Sequence, residues 1–344
     1  MLAREAKREA AAWVSSEGIH MPGLVGAFIA GSVTTLPDEM PLPRSSDVDI
    51  TVVLEQPPAR KLGKFCYQGV LLEVSFEAPE RILSIESVLG DPHLAGSVKA
   101  MQIVTDPSGH LESLQSEVAE KYAYARWVRE RCRAAAALAA SRLRPPDRAT
   151  PLHEAVTSWL FGASLTALIL LLAGLRPPTV RRRYVEVRKL LLEHGRPDFH
   201  EELLQLLGCS EWSQSQAEKH LNSVANAFDR ATGLPKGNFT YAADISDAAR
   251  PVAISGSREL IEQGLQREAV FWMVATYSRC QWIFDFNRFD DEACPFRMGY
   301  LSTISDLGVG SWADLEASCG QGLAFLPRVM AMAEALMDAT PEMK

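Results

Sequence analysis

Asp47-Val48-Asp49 places two carboxylates two residues apart at the head of an apolar, β-branched run, VDITVVL. On a strand, residues i and i+2 leave the same face, so the two aspartates converge while Val48 turns toward a core. Convergent carboxylates suit a hard divalent cation, Mg2+ above all, with phosphate oxygens completing its shell. Upstream, Gly31-Ser32 closes a second apolar run, residues 24–30. A glycine there lets backbone approach a polyphosphate closely, and Ser32 offers a hydroxyl and an N–H. Glu73 lies inside LLEVSF. A charge within an apolar strand needs a partner, and a cation shared with two aspartates supplies one. Singly, an Asp-x-Asp, a strand glutamate or a Gly-Ser is ordinary turn or surface chemistry. Their order along the chain is what makes them specific.

These residues must be held by a sheet. Residues 3–17 have helical spacing, 24–30 and 48–54 read as strands, and 62–68 and 70–77 form two short runs with Gly69 as the tight connection between them. Residues 79–89 look helical, and 101–104 is a last strand before the turn sequence Asp106-Pro107-Ser108-Gly109. From about residue 112 the texture becomes helical, with helices expected over 112–141, 152–174, 178–194, 198–207, 213–230, 257–287, 297–306 and 311–337. The fold expected is therefore α+β, a small mixed-sheet catalytic domain over residues 1–112 followed by a larger all-α domain over 113–344.

The chain of 344 residues is long enough for two domains. A net charge of −8 argues against broad nucleic-acid binding, which rests on cations neutralising phosphates. The six cysteines are scattered, with no C-x-x-C pair, and the start reads as a charged helix rather than a signal peptide. Reduced thiols and a cytoplasmic location are expected. Residues 155–175 carry no charge for about twenty positions, enough to span a membrane. Their serines, threonines and glycines favour a helix buried in an all-α core, and no membrane association is expected. Arg181-Arg182-Arg183 reads as a solvated helix face.

The stretch IAGS…SSDVDITVVL resembles the Gly-Ser…Asp-x-Asp pattern of the polymerase-β-like nucleotidyltransferase superfamily. MQIVTDPSGHLESLQ looks like the close of the catalytic domain in its antibiotic-modifying members, and the helical domain is similar in layout to streptomycin/spectinomycin adenylyltransferases. The specific likeness spans residues 24–115. It implies transfer of a nucleoside monophosphate, AMP from ATP, to a hydroxyl of a small molecule such as an aminoglycoside-like antibiotic, by a two-Mg2+ in-line mechanism. It implies that Asp47 and Asp49 bind the metals and that Glu73 is a third ligand or the general base. Gly31, Ser32 and Ser46 would lie against the phosphates. The loop between Ser32 and Asp47, with Pro37, Pro41 and Pro43, is longer than in compact members, which bears on the nucleotide contacts. The third acid is glutamate rather than aspartate, as also in some antibiotic adenylyltransferases.

The helical domain is expected to close over the site and to add cations. Arg279, in YSRCQW, resembles a Ser-Arg helix that supplies a phosphate-binding arginine, and Arg297 matches a second basic position; Arg44 lies in the motif loop. Trp282, Asp285, Asp290, Asp291 and Glu292 form an aromatic–acidic stretch suited to a cationic, hydroxyl-rich ligand, though a polar helix end has the same composition. Two other functions compete: nucleotidylation of a protein or an RNA end, and a non-catalytic nucleotide-binding regulator or toxin–antitoxin component. The acidic charge argues against RNA, and the intact carboxylate set argues against degeneration.

Overall fold

The computed structural model describes residues 1–82, 84–289 and 294–344. The chain divides into two compact units. The first is Met1–Arg131 with Thr240–Val252 and Lys344; the second is Cys132–Phe239 with Ala253–Met343. Thus a short stretch from far along the sequence belongs to the first unit.

The first unit is built on a five-stranded mixed sheet. Its strands are β1 (Leu24–Ala30), β2 (Val48–Leu54), β3 (Gly63–Tyr67), β4 (Val70–Glu77) and β5 (Gln102–Thr105), in the order β3-β4-β2-β1-β5. Only β2 and β4 run parallel; the other pairs are antiparallel. Helix α1 (Ala3–Ser16) lays Ala3, Ala6, Ala10, Trp13 and Val14 against one face, where Val48, Ile50, Val52, Leu72 and Val74 form the core. The other face packs Phe28, Ala30 and Val53 under α2 (Ile85–Gly90), α3 (Leu94–Ala100) and α4 (His110–Lys121). The alternation in VDITVVL has the cause its pattern implies: Val48, Ile50 and Val52 are fully buried under α1, and Asp49 and Thr51 point the opposite way.

The helix expected over 112–141 is two helices, α4 and α5 (Ala125–Arg142), and the division between the units falls inside α5. No glycine or proline breaks it. Arg131, fully buried, donates to the carbonyls of Leu89 at 3.0 Å and Tyr122 at 2.8 Å, and its guanidinium lies 4.3 Å from the Tyr122 ring centre. It thereby satisfies carbonyls at the ends of α2 and α4, where helices leave acceptors unpaired and favour a cation. Arg131→Met is expected to destabilise the protein by about 3 kcal/mol, since two buried carbonyls lose charge-assisted partners. A thermal melt checks this, and a shift of under about 1 °C would show that Arg131 does not fasten these ends.

The second unit is helical: α6 (Leu152–Ala173), α7 (Arg183–Glu193), α8 (Pro197–Leu206), α9 (Gln214–Thr232), α10 (Gly256–Glu262), α11 (Gln266–Phe286), α12 (Pro295–Asp306) and α13 (Trp312–Ala339). Among the described residues α6 alone is long and apolar enough to cross a membrane, yet 83% of its most apolar window is buried. It packs against α7, α11 and α13 as the central helix of an all-α core. The span expected over 257–287 is two helices, ended and restarted around Gly264. Arg183 corrects the reading of the arginine run as a solvated face. It is buried, donating to Ser164 Oγ and the Thr179 carbonyl, and burial pushes its guanidinium down to about 10.

Candidate functional site

The site lies on the sheet face opposite α1. In the parallel β2–β4 pair Asp49 stands beside Glu73, and in the antiparallel β1–β2 pair it stands beside Ala30, the residue before Gly31. One lateral row of the sheet therefore delivers Glu73, Asp49 and the Gly31-Ser32 turn together. Asp47 reaches the same place from the residue before β2. Ligand oxygens of Asp47, Asp49 and Glu73 all lie within 4.8 Å of one another. This cluster can hold a metal ion, and its all-oxygen donor set is the kind that Mg2+ prefers.

Gly31 is required twice over. Its φ of +76° and ψ of −165° fall in a region that side chains exclude, and a Cβ here would overlap Asp49 Oδ2 and lie 3.0 Å from Cγ. Asp49 is half-buried as a residue, but its carboxyl is enclosed. Burial, reinforced by Asp47 and Glu73 and only partly relieved by Lys64 and Lys61, pushes its pKa up to about 8. A carboxyl held that high at neutral pH lacks positive charge, and a divalent cation would supply it.

Lys61 and Lys64, which the sequence patterns do not single out, join the carboxylates. In the antiparallel β3–β4 pair Lys64 stands opposite Glu73. Its ammonium, 7% exposed, lies 2.9 Å from Asp47 Oδ2 and 3.3 Å from Asp244 Oδ1, and it pairs with Glu73 Oε2. Lys61 pairs with Glu73 Oε1 and lies 3.9 Å from Asp244 Oδ1. Burial works against the charge on Lys64, but Asp47, Asp244 and Glu73 outweigh it and raise the pKa above the usual lysine value. Asp244, 9% exposed, is carried by the returning Thr240–Val252 stretch.

The phosphate-facing expectations sit as follows. Ser32 is exposed and opens a 3-10 turn, Ser32–Thr34, directly after Gly31. Ser46 is half-buried, and its N–H donates to the Pro43 carbonyl at 2.9 Å. Arg44 is exposed. Arg279 and Arg297 belong to the second unit: the Arg279 guanidinium lies 5.0 Å over the Trp272 ring on α11, and Arg297 is exposed on α12. Trp282 stacks with Phe239 and with Phe286, with ring centres 4.3 and 5.4 Å away, and Asp285 pairs with His153 Nδ1 at 3.2 Å. Asp290, Asp291 and Glu292 lie outside the described residues.

No family model and no curated protein matches the chain. A solved structure, that of a nucleotidyltransferase-like protein from Exiguobacterium sibiricum 255-15, is similar over 94% of this chain and 91% of that one, at 13% identity and a TM-score of 0.32. At that score the likeness decides nothing about activity.

Proposed function

We propose that the protein is a metal-dependent nucleotidyltransferase that moves a nucleoside monophosphate, AMP from ATP, onto a hydroxyl of a small molecule. The observation that carries this is the lateral register of Glu73, Asp49 and Ala30-Gly31, which gathers three carboxylates beside a glycine turn. Asp47, Asp49 and Glu73 would hold Mg2+, which when bound neutralises charge on the α-phosphate and the leaving pyrophosphate. The chain's own part is to bind and orient. Gly31 admits the polyphosphate, and Ser32 with the Ser46 hydroxyl donates to its oxygens. Arg279 and Arg297 are carried as triphosphate contacts on the sequence resemblance alone. A cytoplasmic setting, where ATP is abundant, fits this chemistry.

The test is Mg2+-dependent pyrophosphate release from ATP across a panel of hydroxylated acceptors that includes aminoglycosides and lincosamides. Release that persists in Asp49→Ala sinks the assignment. Labelled ATP then separates acceptor classes, since label moves either into small molecules or onto protein or RNA. A second reading, a non-catalytic nucleotide-binding regulator, draws on the two ammoniums that occupy both oxygens of Glu73. ATP binding without pyrophosphate release for any acceptor would favour it.

A further inference from the structure

Both oxygens of Glu73 and one of Asp47 are engaged by ammoniums, Lys61 on Glu73 Oε1 and Lys64 on Glu73 Oε2 and Asp47 Oδ2. These are two of the three carboxylates that would ligate a cation. A divalent ion seated among them would come within a few ångströms of the Lys64 ammonium. Two positive charges that close in an enclosed site repel strongly, because little water screens them. Lys64 and the ion therefore compete for the same oxygens.

The structure also supplies a place for Lys64 to go. Asp244 Oδ1 lies 3.3 Å from its Nζ, on a segment separate from those that carry the three carboxylates. Lysine's flexible stem can move its charge that far without backbone change. The stretch bearing Asp244 is seated on β3: Gly63, with φ +79°, has no side chain where a Cβ would overlap that of Ala243. Asp244 also lies 3.9 Å from Lys61, but Lys64 is the nearer of the two ammoniums, and without Asp244 a displaced Lys64 would keep its charge in a nearly enclosed position away from the carboxylates it left.

We propose that Lys64 is an internal counter-ion that holds the carboxylate site closed, and that Asp244 receives it when a divalent cation binds. This rests on the reading of Asp47, Asp49 and Glu73 as a metal site. Lys64 and Asp244 are then positioning residues, and they set how tightly the site takes its metal.

Mn2+ binding to the full-length protein, read by electron paramagnetic resonance of the free ion, tests this. Lys64→Met keeps the stem and removes the competitor that bridges Asp47 and Glu73, leaving Lys61 on Glu73; it is expected to tighten Mn2+ binding about tenfold. Asp244→Asn removes the receiving anion and is expected to weaken binding about tenfold. In the double variant the Asp244 effect should shrink to about twofold, because it acts through Lys64. Melts in EDTA confirm folding of each variant, and Asp244→Asn, which preserves volume, decides alone if Lys64→Met does not fold. Unchanged or weaker binding in Lys64→Met overturns the proposal and makes Lys64 a tie that holds the carboxylates together. An Asp244 effect that survives in full in the double variant also overturns it. Failure of wild type and Lys64→Met alike to bind Mn2+ overturns the metal-site reading itself, and this proposal with it.

Discussion

Asp49→Asn is expected to lower Mg2+-dependent pyrophosphate release by about a thousandfold, equivalent to about 4 kcal/mol of transition-state stabilisation. Asparagine keeps the shape that Gly31 accommodates, so the turn and the sheet register survive, but it loses the charge that binds metal. The same substitution is expected to stabilise the protein in EDTA. The Asp49 carboxyl is pushed up to about 8, first by burial and then by Asp47 and Glu73. The sign follows from linkage: a group whose folded pKa lies above its unfolded value favours folding below the unfolded pKa, and that contribution is lost as pH rises through the folded one. Metal-free wild type should therefore lose stability between about pH 4 and pH 8, and Asp49→Asn should lose less. Melting temperatures at pH 5 and pH 8, with and without EDTA, check the stability arm. Activity within tenfold of wild type would show that Asp49 holds no essential metal.

Much of this site was legible in the sequence because it depends on local patterns. Alternation in VDITVVL assigns Asp49 to the face away from α1, and the strand that ends in Gly31-Ser32 is its neighbour. Lys64 did not stand out in the sequence, because its place depends on where the hairpin turns: with residues 62–68 as strand and Gly69 alone as the connection, Phe65 would face Glu73. The turn between β3 and β4 consists of Gln68 and Gly69, both at positive φ, as a two-residue hairpin demands. Counting outward from Tyr67 opposite Val70 puts Lys64 opposite Glu73 in three steps. Asp244 was not legible. It lies far along the chain, within a stretch of helix breaks, and reaches β3 only through tertiary folding. Arg131 and Arg183 were hidden for a related reason. Each sits among other charges in sequence, and only packing shows that these two point inward. The break between α4 and α5 carries no glycine or proline to mark it, and the Tyr122 carbonyl at that break is bonded by Arg131.

Gly31→Ala is the second large effect expected, and a control separates its two causes. Backbone strain at this φ and ψ costs about 1–3 kcal/mol for a residue with a Cβ. Strain alone would lower stability and leave chemistry intact. At Gly31, however, the new methyl group overlaps Asp49 Oδ2, and the Asp49 carboxyl is the flexible partner that must give way. Displacing it breaks the ligand geometry, so activity should fall by about a hundredfold or more, beyond what the stability loss explains. Mn2+ binding should weaken alongside it. Gly109 supplies the comparison. It has a φ of +71° at the head of α4, and a Cβ there meets nothing within 4 Å. Gly109→Ala should therefore cost about 1 kcal/mol of stability and leave both metal binding and pyrophosphate release unchanged. If the two variants lose activity in proportion to their melting temperatures, Gly31 serves only the backbone. A large loss confined to Gly31→Ala would mean that the turn is shaped to let Asp49 stand where a metal and a polyphosphate meet.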